Sequence, residues 1–298
     1  MFQKTLQQAC DFEGKGLHTG ALSHMTIRPA GPDTGLIFVR TDLDVEIPAT
    51  ADNVLTTRRS TVLGKGRARV GTVEHVLAAL TGMGIDNAVI ELDSREVPIL
   101  DGSAARYVSA IRDAGVVDQD APRRWLIPSH EIEVSDPRSG SWIRVTPSDE
   151  PSLEVTVDYG SRVLGVQTVR IDRTVDFASQ IAPCRTFCFL HEVLPQIALG
   201  LARGGDVENA IIVAERPVPQ CILNLLSRML GQPRLTVTPQ GYLSNLQLHF
   251  PDECGRHKLL DLMGDLRLCG CFLQARIEAF KPGHAINTTL SSELLKSL

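Results

Sequence analysis

The sequence predicts an α+β protein made of two related halves. Short strand-like runs are followed by a helix, a glycine and a strand in TVEHVLAALTGMGIDNAVIEL, and this order recurs in RHKLLDLMGDLRLCGCFLQARIEAF. His75 matches His257 and Gly82 matches Gly264 at one constant offset, which is a weak internal repeat. We therefore expect two similar units packed on one another, with the two histidines facing one cleft.

The elements of the first unit can be predicted in order. Apolar alternation predicts strands in MTIRPA, GLIFVRTDL and VEIPAT, which Gly, Pro and Asp separate. An apolar stripe predicts a helix over residues 72–80, and the run AVIEL predicts the strand that follows. The DGS of residues 101–103 offers N-cap side chains for a second helix over residues 104–113.

A charged, proline-containing stretch separates the units. DQDAPRRWLIPS at residues 118–129 lacks a periodic pattern, so it predicts a linker and a boundary near residue 125. We accordingly expect domains 1–125 and 126–298. The second begins with strands in HEIEVSD, SWIRVTPS and LEVTVDYG, and a helix-rich stretch follows.

Composition excludes several classes of protein. The chain has 298 residues, 43% hydrophobic and 22% charged, with a formal charge of −5, which is ordinary for a globular protein and argues against nucleic-acid binding. No apolar run is long enough to span a bilayer and no signal sequence is visible, so we expect a cytoplasmic protein without a transmembrane segment. The seven cysteines lack a CxxC pair and predict free thiols.

A polar stripe marks the helix predicted in RHKLLDLMGDL. His257, Asp261 and Asp265 recur at intervals of four, so their side chains project along one face. Buried carboxylates need a compensating charge, which a divalent metal would supply. His and Asp one turn apart suit zinc, and the Glu74-His75 pair offers a third ligand with a general base beside it. An HxxxD pattern alone also fits a surface or capping interaction.

Two further segments carry polar residues that could be catalytic. His284 follows a Pro-Gly turn and could act as a general acid oriented by Asp265, although a turn histidine exposed to water fits the same pattern. In PCRTFCFL, the hydroxyl of Thr186 could donate to an oxyanion, or the segment could be an ordinary strand with one polar face.

These segments together resemble the UDP-3-O-acyl-N-acetylglucosamine deacetylase family, the zinc amidases of lipid A biosynthesis in Gram-negative bacteria. The motifs that carry the resemblance are GKGLHTG, TVEHVLAALTGMGIDNAVIEL, VPILDGSA, RTFCF, ARGGDVENAIIV, RHKLLDLMGDL and PGHAIN. It implies two α+β domains, each a sheet with a helical layer, whose helices meet at a central active site. It also implies zinc-dependent hydrolysis of the N-acetyl group of UDP-3-O-(3-hydroxyacyl)-N-acetylglucosamine, which releases acetate. We expect the protein to be a monomer.

The resemblance implies a role for each polar residue of the predicted site. For the reaction, it implies His75, His257 and Asp261 as zinc ligands, Glu74 as general base, His284 as general acid with Asp265 behind it, and Thr186 as oxyanion donor. For substrate binding, it implies Lys258 and Lys281 near the diphosphate, His18 on the sugar-nucleotide side, Asp158 and Tyr159 by the uracil, and Phe187 and Phe189 with the apolar run FLHEVLPQIALGL along the acyl chain.

The chain also departs from the family pattern. GSRVLG follows Tyr159 where the family usually has a His-Pro pair, and Thr146 stands where a phosphate-contacting Lys is often found. Residues 216–241 form an insertion with an apolar, helix-like run. Two alternatives therefore stay open: a paralogous zinc amidase that acts on another N-acyl sugar, and a catalytically silent homologue that binds sugar nucleotides. The complete set of polar residues argues against the silent homologue.

Overall fold

Two five-stranded sheets of the same topology form the framework of the protein. The structure is a computed structural model that describes residues 1–198, 209–229, 231–244 and 247–297. The first half contains β1 (Phe2–Leu6), β2 (Cys10–Lys15), β3 (Leu22–Pro29), β4 (Leu36–Arg40), β5 (Val45–Pro48), β6 (Val54–Thr56), β7 (Val62–Lys65), β8 (Ala68–Gly71), α1 (Glu74–Gly82), β9 (Ala88–Leu92), α2 (Ala105–Ala114) and β10 (Val116–Pro122).

The second half repeats this plan with longer connections. It contains β11 (Trp125–Leu126), β12 (Ile132–Asp136), β13 (Ser141–Pro147), β14 (Ser152–Asp158), β15 (Val166–Ile171), α3 (Phe177–Gln180), β16 (Phe187–Phe189), α4 (Leu190–Ala198), β17 (Ile211–Val213), α5 (Gln220–Met229), α6 (Glu253–Leu266), β18 (Phe272–Leu273), β19 (Ala275–Phe280) and α7 (His284–Lys296).

Strand order shows the internal repeat directly. The large sheets run β2-β3-β9-β4-β5 and β12-β13-β19-β14-β15. In each sheet, the strand that comes last in the sequence lies in the centre. β9 pairs antiparallel with β3 and parallel with β4, and β19 pairs in the same way with β13 and β14. The helices α1 and α6 precede these central strands. The predicted fold of two similar α+β units is confirmed.

Helices α1 and α6 pack directly on each other between the two sheets. A Cβ atom on Gly264 would lie only 2.0 Å from the carbonyl oxygen of Glu74, so the missing side chain allows α6 to approach the first turn of α1. The residues of α1 from Glu74 to Leu80 are all buried. The polar residues at the start of α1 therefore face α6 rather than solvent.

Two local predictions need correction. The first helix begins at Glu74 rather than residue 72, because Thr72 has a φ of +58°, outside the right-handed helical region. The stretch predicted as a linker forms strands instead: β10 pairs with β1, and β11 pairs with β18. The stretch lacks the apolar alternation typical of a strand, because β10 lies in a two-stranded sheet and exposes many of its residues.

A domain boundary near residue 125 stays a prediction. In support of it, every sheet formed by the described residues takes its strands from one side of Arg124. Within the same residues, no helix is long and apolar enough to cross a membrane.

Candidate functional site

Three buried side chains from α1 and α6 converge where the two helices meet. Nε2 of His75 lies 3.7 Å, and Nε2 of His257 lies 3.3 Å, from Oδ1 of Asp261. In a tetrahedral zinc site with bonds of about 2.0–2.1 Å, neighbouring ligand atoms are about 3.3 Å apart. The three donor atoms, all within 4.8 Å of one another, could therefore hold a metal ion.

The protonation of this group favours a cation at its centre. Nδ1 of His257 donates to the carbonyl oxygen of Cys184 at 3.0 Å, so Nε2 of the neutral ring carries a lone pair. Burial lowers the pKa of His257 and lowers that of His75 to about 3, so both rings are neutral at pH 7. The lone pair of His257 faces Oδ1 of Asp261, which has no hydrogen-bond partner among the described residues. A metal ion between these atoms would remove that repulsion.

Lys258 orients the Asp261 carboxylate. Its Nζ atom lies 2.6 Å from Oδ2, which leaves Oδ1 directed towards the histidines. Although burial acts in the opposite direction, His257 and Lys258 hold the pKa of Asp261 well below its usual range. The carboxylate is therefore ionised at neutral pH.

A second cluster lies beside the first and contains Glu74, His284 and Asp265. His284 begins α7, and its Nδ1 atom lies 2.9 Å from Oδ2 of Asp265 while Nε2 lies 3.7 Å from Oε1 of Glu74. Burial opposes the charge, but Asp265 and Glu74 raise the pKa of His284 to about 9. Burial also raises the pKa of Glu74, and His284 acts against this shift. With 11% of its side chain exposed, His284 is not a solvent-exposed turn residue.

Two residues that the sequence did not single out complete this cluster. Asp265 accepts hydrogen bonds from Oγ1 of Thr61 at 2.5 Å and from Nδ2 of Asn287 at 2.9 Å. The backbone N–H of Thr61 donates to Oε2 of Glu74 at 3.1 Å. Asn287 follows His284 by three residues on α7, a spacing that could have identified it. No local pattern marks Thr61.

A group of aromatic side chains lies next to Lys258, which contacts Asp261. The Lys258 ammonium lies 5.6 Å from the ring centre of Phe187. Tyr159 packs edge-on against both Phe187 and Phe189, with ring centres 5.6 Å apart in each pair. Four predicted substrate contacts therefore form one continuous group that begins at Asp261.

The other predicted substrate contacts lie around these clusters. Nζ of Lys281 lies 3.8 Å from Oδ2 of Asp158, which precedes Tyr159 in the chain. The backbone N–H of His18 donates to Oε1 of Glu96 at 3.0 Å, and its buried Nε2 has no partner among the described residues. Burial lowers the pKa of His18, Glu96 opposes this shift, and the charges of Arg59 and His284 add to it.

Thr186 lies two residues after Cys184, and its hydroxyl has no hydrogen-bond partner among the described residues. It is half-buried, and its backbone N–H donates to the carbonyl oxygen of Gly102 at 2.8 Å. Two residues earlier, the carbonyl of Cys184 accepts the hydrogen bond from His257. The donor role of Thr186 stays a prediction.

A cavity adjoins the helix that is predicted to line the acyl passage, and the passage itself stays a prediction. The apolar run after Phe187 forms α4, although residues 199–201 lie outside the described residues. A cavity of about 380 Å³ lies between α4 and the segment that leads into α5. Its apolar walls include Leu190, Leu194, Val218 and Ile222. The predicted insertion at residues 216–241 thus supplies one wall of this cavity.

Comparison with known proteins identifies close relatives. A family model described as "LpxC: UDP-3-O-acyl N-acetylglycosamine deacetylase" matches residues 3–223 and 231–296, which leaves an unmatched stretch inside the predicted insertion. A protein named "Bifunctional enzyme LpxC/FabZ" from Porphyromonas gingivalis is 43% identical over 99% of this chain, which spans 64% of that relative's length.

Two relatives named "UDP-3-O-acyl-N-acetylglucosamine deacetylase" are similar in length to this chain. The protein from Myxococcus xanthus is 42% identical over 98% of this chain and 86% of its own length. The protein from Anaeromyxobacter sp. is 40% identical over 98% of this chain and 88% of its own length. The similarity therefore covers both halves of the fold and both clusters of the site.

Proposed function

Since the chain belongs to the UDP-3-O-acyl N-acetylglycosamine deacetylase family, we propose that it is a zinc-dependent amidase of lipid A biosynthesis. Its substrate would be UDP-3-O-(3-hydroxyacyl)-N-acetylglucosamine, from which it releases acetate by cleaving the amide C–N bond. The observation that carries this proposal is the His75, His257 and Asp261 group, with Glu74 and His284 beside it. A cytoplasmic location and a monomeric state belong to the same proposal.

The ligand set supports zinc as the metal. Two neutral imidazoles and one carboxylate leave a fourth tetrahedral position open, as catalytic zinc sites require. When bound, zinc would polarise the amide carbonyl and lower the pKa of a water molecule. Oδ1 of Asp261, without a partner among the described residues, and the His257 lone pair that faces it are the structural features that fit this ion.

Glu74 would accept the proton of the attacking water. Its Oε2 atom is held by the backbone N–H of Thr61, which leaves Oε1 on the side of His284. Burial gives this carboxylate a raised pKa, and hence a greater proton affinity than an exposed glutamate. A bound dication would lower that pKa and keep Glu74 ionised at the start of the reaction.

His284 would donate a proton to the leaving amine. Asp265 can only accept hydrogen bonds when ionised, so Nδ1 of His284 donates to it and the transferable proton is on Nε2. The raised pKa of about 9 keeps the ring protonated at pH 7. The water adds to the carbonyl carbon, the C–N bond breaks, and the sugar leaves as an amine protonated through His284. The Thr186 hydroxyl would donate to the oxyanion.

The cations and aromatic rings of the surrounding group support a sugar-nucleotide substrate. Lys258 and Lys281 would contact the diphosphate, with His18 on the sugar side and Asp158 and Tyr159 at the uracil. Phe187 and Phe189 would begin the passage for the acyl chain, because each buried CH₂ group contributes about 0.8 kcal/mol.

A related amidase that acts on another N-acyl sugar is the second candidate. It is favoured by Thr146, which occupies a position where the family often has a phosphate-contacting Lys. Its hydroxyl lies 3.4 Å from Oε2 of Glu131, so this position offers no positive charge to a phosphate. Competition between acylated substrates with and without the UDP group would separate the two candidates.

The test is zinc-dependent release of acetate from the proposed substrate. We expect Glu74→Gln, and wild-type protein stripped of metal, to lose activity by a factor on the order of 10² or more, since each lacks a group that the reaction needs. The control is Glu293→Gln, an exposed glutamate on α7, which should match wild type. Zinc-loaded protein that leaves this substrate intact, but hydrolyses another N-acyl sugar, would favour the second candidate.

A further inference from the structure

Glu253 is a fully buried carboxylate in the first turn of α6. Its Oε1 atom accepts from the backbone N–H of Arg185 at 3.0 Å and from Nε of the same residue at 2.9 Å. Its Oε2 atom accepts from Nη2 of Arg185 at 3.2 Å and from the backbone N–H of His249 at 2.6 Å. Burial acts against ionisation, but the hydrogen bonds from Arg185 and His249 lower the pKa of Glu253, so the group is ionised at neutral pH.

One peptide group lies between Glu253 and His257. The N–H of Arg185 donates to Glu253, and the carbonyl oxygen of Cys184 accepts from Nδ1 of His257 at 3.0 Å. This N–H and this carbonyl belong to the same trans peptide group, so they point in opposite directions. Glu253 and His257 are four residues apart on α6 and therefore neighbours on one face of the helix. A continuous chain of hydrogen bonds runs from the carboxylate through the peptide group to the imidazole.

This chain would act on the nitrogen of His257 that faces Asp261. An ionised acceptor strengthens the hydrogen bond from the Arg185 N–H and polarises the peptide group, so the Cys184 oxygen becomes a better acceptor. A strong acceptor at Nδ1 fixes the tautomer and the orientation of the ring, and it raises the basicity of Nε2. The consequence is a better metal ligand.

We propose that Glu253 is a positioning residue of the candidate metal group, His75, His257 and Asp261, and that it acts through the Cys184–Arg185 peptide group. The inference rests on the proposed function, since it requires a metal ion at Nε2 of His257. The intervening peptide group lets a second carboxylate support the histidine without lying beside Asp261, where two negative charges would repel each other.

The first experiment compares zinc affinities by chelator competition. Glu253→Gln keeps the shape of the side chain, removes its charge and turns an amide N–H towards the groups that donate to it. We expect zinc affinity to fall by a factor on the order of 10 to 100, which is typical for a group that orients a metal-binding histidine. The matched control is Asp86→Asn. Asp86 is also buried, accepts from the backbone N–H of Lys4 at 2.7 Å and pairs with Arg123 at 2.7 Å, so its variant should keep the wild-type zinc affinity.

Nuclear magnetic resonance of the wild-type protein tests the same chain without a mutation. Zinc at Nε2 makes Nδ1–H of His257 a stronger donor, which in turn strengthens the hydrogen bond from the Arg185 N–H to Glu253. We expect the amide proton of Arg185 to shift downfield when zinc binds, and that of Lys4 to stay unchanged. An ion pair with a purely structural role would leave both signals in place.

Three results would each overturn the inference: wild-type zinc affinity in Glu253→Gln, an equal loss in Asp86→Asn, or an Arg185 amide proton that does not shift. The magnetic resonance result decides alone if Glu253→Gln fails to fold. Wild-type protein that binds no zinc would overturn the proposed function as well. Zinc binding that is equally tight in wild type and in Glu253→Gln would overturn only the role of Glu253.

Discussion

Replacing Thr61 with valine removes one hydroxyl from the buried cluster and leaves the backbone N–H in place. That hydroxyl donates to Oδ1 of Asp265 at 2.5 Å, and the N–H donates to Glu74. A hydrogen bond to a charged group contributes about 1.5–3 kcal/mol, and valine would leave the buried oxygen without this donor. We therefore expect the free energy of unfolding to fall by about 1.5–3 kcal/mol. We also expect slower acetate release, because Asp265 orients His284.

Urea denaturation measures the predicted loss. The midpoint should fall in Thr61→Val while the slope stays constant, which shows a change in stability rather than in the unfolded state. Thr61→Ser keeps the hydroxyl and should lose only about 0.8 kcal/mol for the methyl group. Thr289→Val, at an exposed position on α7, should stay within about 0.5 kcal/mol of wild type. Equal stability and turnover in Thr61→Val and Thr61→Ser would refute this reasoning.

Three further changes test the same site. Asp261→Asn removes the charge between the histidines, so zinc affinity measured by chelator competition should fall at least about 10²-fold. An unchanged affinity would show that the metal binds at another site. Gly264→Ala places a Cβ atom 2.0 Å from the carbonyl oxygen of Glu74 and should lower the free energy of unfolding by about 1–3 kcal/mol. Gly31→Ala places a Cβ atom 3.9 Å from Oγ1 of Thr34, an ordinary contact, and should have no such effect. The pKa of His284 rises from 6.5 to about 9 on folding, so its stabilisation is complete below pH 6.5 and is lost as the pH rises to about 9. Stability measured across this range in metal-free protein should decline by up to roughly 3 kcal/mol in wild type and less in His284→Gln; parallel curves would contradict the assignment.

Local periodicity predicted the part of the site that lies on one helix. The spacing of His257 and Asp261 follows from 3.6 residues per turn alone. The internal repeat added His75, and the two imidazole rings lie 5.0 Å apart, centre to centre. By contrast, Thr61 contacts Asp265 across 204 positions of sequence, and no spacing rule reaches that far. The strands β10 and β11 were missed for a similar reason, since their partners β1 and β18 are distant in the sequence.

The two halves share a topology but supply different chemistry at matched positions. At the offset that aligns the two histidines, Asp261 matches Ala79, which is fully buried, and Glu74 matches Arg256. A symmetric site would bring a second aspartate and a second glutamate into the same buried contact, and neighbouring carboxylates repel each other in a low dielectric. The observed arrangement instead places one carboxylate between two neutral rings and keeps Glu74 next to the protonated His284. His75 comes from the first half and His257 and Asp261 from the second, so the group that could hold a metal ion forms only where α1 and α6 pack together.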